Sequence, residues 1–151
     1  MARFRRPTRL AGVSATDAEI VRGGYEAFNR GDIDWMVEHM DPDIHWEDAA
    51  KVPDARTYRG VDEVRRYLES LFRHWDEIRY ELEDVRDGPE GVVAFVRLVA
   101  RGKTSGAAVD ASMAHVHELR DGRGVRVRVY FDRDAALEAV GLAGSGNPGA
   151  A

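Results

Sequence analysis

The sequence predicts an α+β fold in which helices precede a mainly antiparallel sheet. In the N-terminal half, apolar residues recur at three- and four-residue steps, as they do on one face of a helix. From about residue 78 the apolar period changes to two, which is typical of strands. Turn-forming stretches rich in Gly separate the alternating segments, so neighbouring strands are expected to join as antiparallel hairpins and not through crossover helices.

The first helix is predicted to begin at Thr16. The segment Thr-Asp-Ala-Glu has the spacing that satisfies free N–H groups at a helix start. Val21, Tyr25 and Phe28 then give the helix one apolar face, because they recur at helical spacing. Gly31 is expected to end it, since Gly readily adopts the backbone conformation that follows a helix.

A second short helix and a strand are predicted next. Asp32 can cap the helix, and the bend at Pro42 closes it. Over residues 43–48 apolar and charged residues alternate, as in a short strand with one buried face. Trp46 and Asp48 fall on the side predicted to be buried. The stretch around residue 53 is predicted to be irregular.

The strongest helical pattern follows Gly60. Its apolar residues recur at three- and four-residue steps with charged residues between them. They are Val61, Val64, Leu68, Leu71, Phe72 and Trp75. Four alternating segments follow at residues 78–83, 92–101, 107–119 and 125–131, and a last helix is predicted over residues 134–140.

Length and charge predict one domain, at residues 16–142, with a tail on each side. A chain of 151 residues is of the usual size for a single domain. Residues 1–15 contain four arginines and few large apolar groups, which favours a disordered basic tail over a transit peptide. Residues 143–151 are rich in Gly and Ala, which predicts a flexible tail.

Composition excludes several classes of function. The chain has no cysteine, so it cannot form disulfides, Cys-ligated metal centres or a thiol nucleophile. The formal net charge of -5 argues against a protein that binds a nucleic-acid backbone. No stretch approaches the ~20 apolar residues of a membrane-spanning helix, and the N-terminus has no apolar core of a secretory signal. We therefore expect a soluble cytoplasmic protein with no nucleic-acid or membrane partner.

Strand parity divides the side chains of the sheet between a core face and an outer face. It predicts that Val125, Val127, Val129 and Phe131 face the core. The outer face combines apolar, aromatic and arginine side chains, namely Phe95, Arg97, Val99, Val116, Arg128 and Tyr130. This surface fits either long arginine stems lying over a solvated sheet or a subunit interface. We expect a homodimer through this face.

Three titratable residues are candidates for catalysis. Parity turns His115 and His117 inward on one strand and Asp48 inward on another. A carboxylate and two imidazoles that face an apolar cavity indicate acid/base chemistry, because burial and proximity shift pKa values. Asp48 could instead cap backbone N–H groups or pair with Arg56 or Arg59, and either histidine could be an ordinary core residue.

No metal or cofactor is predicted. His115 and His117 lie on the same side of a strand, as metal ligands often do, but a third ligand such as Asp48 would have to reach them across the cavity. The side chains expected to contact a ligand are large and mostly aromatic, which indicates a small apolar ligand, although each could also be a plain core residue. They are Tyr25, Trp35, Trp46, Tyr58, Phe72, Met113, Val129 and Phe131.

Five short segments resemble the nuclear transport factor 2-like superfamily, in particular its branch of SnoaL-like polyketide cyclases and ketosteroid isomerases. They lie at residues 25–34, 43–48, 58–64, 117–125 and 130–132. The resemblance runs from about residue 17 to residue 142. It implies a cone-shaped fold, in which a strongly curved, mainly antiparallel sheet and three N-terminal helices surround an apolar pocket, and it also implies a homodimer.

The resemblance implies a role for several residues. Asp48 matches the position of the base in ketosteroid isomerase, where an aspartate moves a proton while a tyrosine and a protonated aspartate hold the oxyanion. His115 matches the protonated aspartate of the isomerase and the acid/base aspartate of the cyclases, with His117 as support. Gly24, and not Tyr25, matches the oxyanion tyrosine, so that donor is missing or offset.

These observations predict a cofactor-independent acid/base enzyme of the isomerase or cyclase type. Its substrate would be a small hydrophobic carbonyl compound. Asp48 would abstract or relay a proton, and His115 would donate a hydrogen bond or a proton to the developing oxyanion. The alternative is a non-catalytic module of the same fold that binds a small ligand or serves in dimerisation.

Overall fold

The computed structural model describes residues 13–48, 56–104 and 106–142, which form a six-stranded sheet with four helices. The predicted α+β fold is therefore confirmed. In chain order the elements are α1 (Val13–Asn29), α2 (Ile33–Glu38), β1 (Met40–Glu47), β2 (Thr57–Arg59), α3 (Val61–His74), β3 (Trp75–Gly88), β4 (Gly91–Gly102), β5 (Ala108–Arg120), β6 (Arg123–Tyr130) and α4 (Arg133–Ala139).

The helices follow their sequence signals with small shifts at the ends. Helix α1 begins at Val13, so residues 13–15 belong to it, while the rest of the predicted N-terminal tail and residues 143–151 lie outside the described residues. Asp32 caps α2 as predicted, since its Oδ1 accepts the Trp35 N–H at 3.0 Å. Trp75 has an extended backbone and begins β3 instead of ending α3. No helix among the described residues is long and apolar enough to cross a bilayer.

The sheet has the strand order β2-β1-β6-β5-β4-β3. Strands β3 to β6 form the predicted antiparallel meander. Strand β1 pairs in parallel with β6, so the sheet is mixed. Strand β2, in the stretch predicted to be irregular, places Tyr58 opposite Trp46 on β1. Its three residues are too few to show an alternating pattern, and its strand conformation depends on this partner.

The main core lies between the sheet and helices α1 to α3. Phe28 of α1, Leu68 of α3 and Ile44 of β1 are each 1% exposed and belong to one apolar cluster. A second cluster joins Val21 and Tyr25 of α1 to inward residues of β4. These helices cover the inner face of the sheet, so any space left between them and the strands is enclosed by apolar side chains.

Helix α4 covers part of the outer face. Phe95 and Val116, which the sequence places in a dimer interface, pack with Leu137 and Val140 at this end of the chain. The guanidinium of Arg133 lies 3.7 Å from the centroid of the Phe95 ring. Phe95 and Val116 of the outer face are therefore buried within the chain itself, whereas Val99 is only partly buried. A homodimer through the rest of that face stays a prediction.

The prediction that Phe131 faces the core is wrong. Phe131 is 49% exposed, whereas Val127 of β6 is 3% exposed as predicted. Strand β6 ends at Tyr130, so alternation no longer applies one residue later. Asp132 then caps α4, with its Oδ1 accepting the Asp134 N–H at 2.9 Å. The turn into α4 directs Phe131 away from the core.

Candidate functional site

A mostly apolar cavity of about 80 Å³ lies between the helices and the inner face of the sheet. One water needs only ~10–15 Å³ of such space, so the cavity has room for several waters or a small organic molecule. Every main element except β2, β4 and α4 contributes to its wall. Its lining residues are Ile20, Val21, Gly24, Tyr25, Phe28, Trp35, Met36, His39, Met40, Ile44, Trp46, Leu68, Leu71, Tyr80, His115, His117, Leu119, Gly124 and Val127.

Two histidines enter the cavity from β5. His115 and His117 are two residues apart on a strand, so their side chains point to the same face. The strand is held on both sides, since His115 lies opposite Ala94 of β4 and Val129 of β6. Both imidazoles therefore project from a backbone that is fixed by two neighbouring strands.

Tyr25 bridges the two imidazoles. Its hydroxyl oxygen lies 2.7 Å from His115 Nδ1 and 2.8 Å from His117 Nε2. A hydroxyl group carries a single proton, so Tyr25 can donate to one neutral imidazole and must accept an N–H bond from the other. We call Tyr25, His115 and His117 the Tyr-His-His cluster.

All three members of the cluster are neutral at pH 7. Burial, with a smaller contribution from the neighbouring His117, lowers the pKa of His115 to about 3. Burial also lowers the pKa of His117 to about 4. For Tyr25, burial raises the pKa well above its ordinary value, and Tyr80 adds to the effect. The hydrogen bonds of the cluster thus join uncharged groups.

The remaining nitrogen of each imidazole is available to a ligand. Within the described part of the chain, neither His115 Nε2 nor His117 Nδ1 has a hydrogen-bond partner. Arg128 Nε is the one fully enclosed side-chain nitrogen or oxygen without a partner among the residues described, so neither imidazole nitrogen is sealed off. Both rings line the cavity, so these nitrogens are among the polar groups that could bind an occupant.

Asp48 does not join the histidines. It lies just beyond β1, where its N–H donates to the Arg56 carbonyl at 3.0 Å and its Oδ2 accepts the Arg56 N–H at 3.4 Å. It is not among the residues that line the cavity. Burial raises the pKa of Asp48, and its charge helps to raise the pKa of Tyr80 to about 12, after the larger effect of burial. The charge of Asp48 thus affects the pKa of Tyr80 in the cavity wall, although Asp48 itself does not line the cavity.

The structure divides the residues predicted to contact a ligand. Tyr25, Trp35 and Trp46 line the cavity. The others, Tyr58, Phe72, Met113, Val129 and Phe131, do not. Tyr58 stacks on Tyr67 with ring centroids 4.3 Å apart, and Phe72 packs against Phe28 at 4.9 Å. Met113 packs against the cluster around Val21, so Tyr58, Phe72 and Met113 pack against the core and do not border the cavity. Phe131 is exposed.

Two wall residues with polar side-chain atoms, Tyr80 and His39, were not among the predicted site residues. The Tyr80 ring meets His115 edge-on with centroids 5.2 Å apart, and the alternation of β3 already pointed it inward. His39 stacks on Trp35 at 3.8 Å, and its Nδ1–H donates to the Trp35 carbonyl at 2.8 Å. No sequence signal identifies His39, because it follows the end of α2 and its position depends on how that short helix packs.

Gly24 leaves space in the wall of the cavity. A Cβ atom at this position would meet no atom within 4 Å. Gly in a helix costs roughly 0.5–1 kcal/mol relative to Ala. Gly24→Ala is therefore expected to raise the free energy of unfolding by about that amount while its methyl group enters the cavity, as measured by urea denaturation.

Gly23 provides the matched control for this substitution. It lies in the same helix, so Gly23→Ala gains the same helix propensity, but its Cβ would lie 2.6 Å from Cη2 of Trp35. We expect Gly23→Ala to lower the free energy of unfolding because the indole must move. If both substitutions changed the free energy of unfolding equally, this would contradict the free space around a Cβ atom at Gly24.

The mixed open sheet with helices over its inner face defines the nuclear transport factor 2-like cone fold, here with a polar cluster in a mostly apolar cavity. Residues 21–127 match the model of the SnoaL-like domain family. The chain belongs to this family, as its resemblance predicted.

Relatives support the fold over most of the chain. The uncharacterized protein Rv0034 of Mycobacterium tuberculosis is 30% identical over 125 residues, which cover 82% of this chain and 94% of the relative. A nuclear transport factor 2-like protein of Burkholderia thailandensis is 28% identical, with a TM-score of 0.69 over 82% of this chain and 95% of that one. A Catenulispora acidiphila protein with a ketosteroid isomerase-like fold, solved with trimethylamine, is 14% identical; its TM-score is 0.67 over 82% and 93% of the two chains, and it shows the fold alone.

Proposed function

We propose that the protein is a cofactor-independent acid/base enzyme of the isomerase or cyclase type, acting on a small hydrophobic carbonyl compound in the cavity. One observation carries this proposal: the buried hydroxyl of Tyr25 is hydrogen-bonded to both His115 and His117 where the surrounding wall is mostly apolar. The SnoaL-like family assignment agrees with it, because the predicted function is of this family's kind.

The chemistry follows from neutral imidazoles in a mostly apolar cavity. A neutral imidazole N–H can donate a hydrogen bond to a carbonyl oxygen and stabilise the negative charge that develops on it during enolisation. An imidazole lone pair can accept the proton that leaves the carbon. Exclusion of water strengthens both interactions. The low pKa values of His115 and His117 keep both imidazoles in the neutral form over the whole physiological pH range.

We assign the base to an imidazole and not to Asp48. The carboxylate of Asp48 accepts the Arg56 N–H outside the cavity wall, whereas the imidazoles border the cavity directly. In this proposal Asp48 is an electrostatic neighbour of Tyr80 and does not touch the substrate. Its removal should therefore change the rate much less than removal of a histidine.

The test is exchange of α-protons for deuterium. Cyclopentanone, cyclohex-2-enone, 1-indanone and 2-tetralone are incubated with the protein in D2O, and the loss of their α-proton signals is followed by proton NMR. For at least one ketone we expect exchange that His117→Phe or His115→Phe slows by ~10²–10⁴-fold, the usual contribution of a general acid or base. Asp48→Asn is expected to keep the rate within about tenfold.

His74→Gln serves as the control variant, because His74 is exposed on α3 and is not among the residues that line the cavity. Its exchange rate should equal that of the unmodified protein. A ketone that shifts the NMR signals of the cavity residues but exchanges no faster than in buffer would contradict the enzymatic proposal.

Such an outcome would favour the second candidate, a module that binds a small ligand without chemistry. The observation that favours it is the place of Asp48, since no Asp or Glu is among the described residues that line the cavity. A site that only binds needs shape and a few hydrogen-bond donors and no strong base. In that case the histidine variants would weaken ligand binding. They would not change the rate of α-proton exchange, because the protein would not catalyse it.

A further inference from the structure

We propose that the Tyr-His-His cluster is a neutral proton relay, which passes protons between His117 Nδ1 and His115 Nε2 through the Tyr25 hydroxyl. The inference rests on the proposed function, in that the relay serves proton transfer to and from a substrate in the cavity. The relay explains how the two imidazoles can act together as acid and base and how they can exchange these roles.

The single proton of the Tyr25 hydroxyl allows two arrangements of the cluster. In the first, Tyr25 donates to His115 Nδ1 and accepts from His117 Nε2–H, so His115 carries its proton on Nε2 and His117 presents a lone pair at Nδ1. In the second, His115 Nδ1–H donates to Tyr25, Tyr25 donates to His117 Nε2, and His117 carries its proton on Nδ1. His115 then presents the lone pair, at Nε2.

One set of proton transfers through the relay converts the first arrangement into the second. His117 Nδ1 takes a proton from a substrate carbon, and the electron pair of the broken C–H bond forms a C=C bond. The His117 Nε2 proton moves to the Tyr25 oxygen, the Tyr25 proton moves to His115 Nδ1, and His115 Nε2–H gives its proton to the carbonyl oxygen. The substrate leaves as its enol, and every group in the cluster stays neutral.

The reverse proton transfers restore the first arrangement of the cluster without a proton from solvent. His115 Nε2 takes the proton of the enol oxygen, and the protons shift back through Tyr25. His117 Nδ1–H then delivers a proton to carbon, either the original carbon or another that the double bond has made reactive. Protons and electron pairs balance over the forward and reverse transfers, and no oxidant or reductant is needed.

The surroundings favour such a neutral path over a charged one. None of the described residues that line the cavity is Asp, Glu, Lys or Arg, so an imidazolium or a tyrosinate there would have no opposite charge beside it. Tyr80 contacts both Tyr25 and His115 with its ring, at centroid distances of 5.9 and 5.2 Å. The lowered pKa values of both histidines and the raised pKa of Tyr25 have the same cause, the burial of the cluster.

The relay makes a prediction that does not depend on activity: the two histidines always share one tautomer. Both carry the proton on Nε2 in the first arrangement and on Nδ1 in the second. In protein labelled with ¹⁵N-histidine, long-range ¹H–¹⁵N correlation spectra at pH 7 should show the same tautomer, or the same averaged fraction, for His115 and His117. Opposite tautomers, or an imidazolium at either residue, would overturn the relay.

Tyr25→Phe and Tyr58→Phe form the matched pair of variants. Tyr25→Phe should uncouple the two tautomers and slow α-proton exchange by ~10²-fold or more, the scale of lost acid/base catalysis. Tyr58→Phe, at a tyrosine that stacks on Tyr67 and does not line the cavity, should do neither. If Tyr25→Phe cannot be purified as a folded protein, opposite tautomers in the unmodified protein would still overturn the relay.

The outcomes separate the two proposals. Shared tautomers with no exchange of any bound ketone would overturn the proposed function while supporting the coupled cluster. Exchange with opposite tautomers would overturn the relay and leave the enzyme. Exchange that persists unchanged in Tyr25→Phe would also overturn the relay, because the imidazoles would then act without the hydroxyl.

Discussion

Lowering the pH from 6 to 4 is expected to reduce the free energy of unfolding by roughly 3–5 kcal/mol through His115 and His117 alone. In the unfolded chain each imidazole has its ordinary pKa of 6.5, but burial lowers the values in the folded protein to about 3 and about 4. Between about pH 6.5 and pH 4 the unfolded state therefore binds up to two protons that the folded state largely does not bind. Each group weakens folding by about 1.4 kcal/mol per pH unit, less for His117 because it is only partly buried.

The measurement is urea denaturation at pH 7, 6, 5 and 4, compared with two variants. In the triple variant Tyr25→Phe, His115→Leu and His117→Leu, apolar groups replace all partners at once, which can be nearly neutral for stability. It should lose this part of the acid sensitivity. His74→Gln, at an exposed position, should retain it. A triple variant with the same dependence on pH as the unmodified protein would show that the buried imidazoles are not its source.

Phe28→Ala is expected to lower the free energy of unfolding by about 3–5 kcal/mol. Phe28 is 1% exposed, and its ring centroid lies 4.9 Å from that of Phe72 and 5.0 Å from that of Tyr80. The ring also forms part of the cavity wall, so its removal would join a new void to the existing 80 Å³. Urea denaturation measures the loss.

The enlarged space should be open to a small aromatic molecule. Benzene added to Phe28→Ala is expected to restore part of the lost stability, because a ligand that binds only the folded state shifts unfolding by mass action. The unmodified protein should gain less from it. Phe131→Ala is the control, since Phe131 is 49% exposed and its loss should change stability by no more than about 0.5 kcal/mol. A small effect of Phe28→Ala would mean that the wall closes over the missing ring.

Patterns of short range predicted most of the fold. Alternation identified the strands of the meander, and helical spacing identified α3, because both patterns depend on residues close in sequence. The cap at Asp32 was readable for the same reason. Strand β2, the packing of α4 on Phe95 and the exposure of Phe131 depend on contacts between distant elements, and no local pattern encodes them.

The candidate site was predictable only in part. Strand parity was enough to direct His115 and His117 inward, where the structure has them. Their link to Tyr25 spans 90 residues of sequence and requires the positions of α1 and β5 relative to each other. For Asp48, strand parity was not enough. Alternation no longer holds at the end of a strand, where a carboxylate can turn back and accept a backbone N–H.

The parallel pairing of β1 with β6 has a consequence for the order in which the protein folds. It joins Met40 to Gly124 and Trp46 to Val127, so the wall of the cavity is completed by contacts about 80 residues apart. Pairings of this range form slowly, because a long loop must close before any contact stabilises it. During synthesis, α1 to α3 and the first strands of the meander emerge before β6. We therefore expect the cavity to be among the last parts of the molecule to form, so that a ribosome-bound chain ending before residue 124 would have no site.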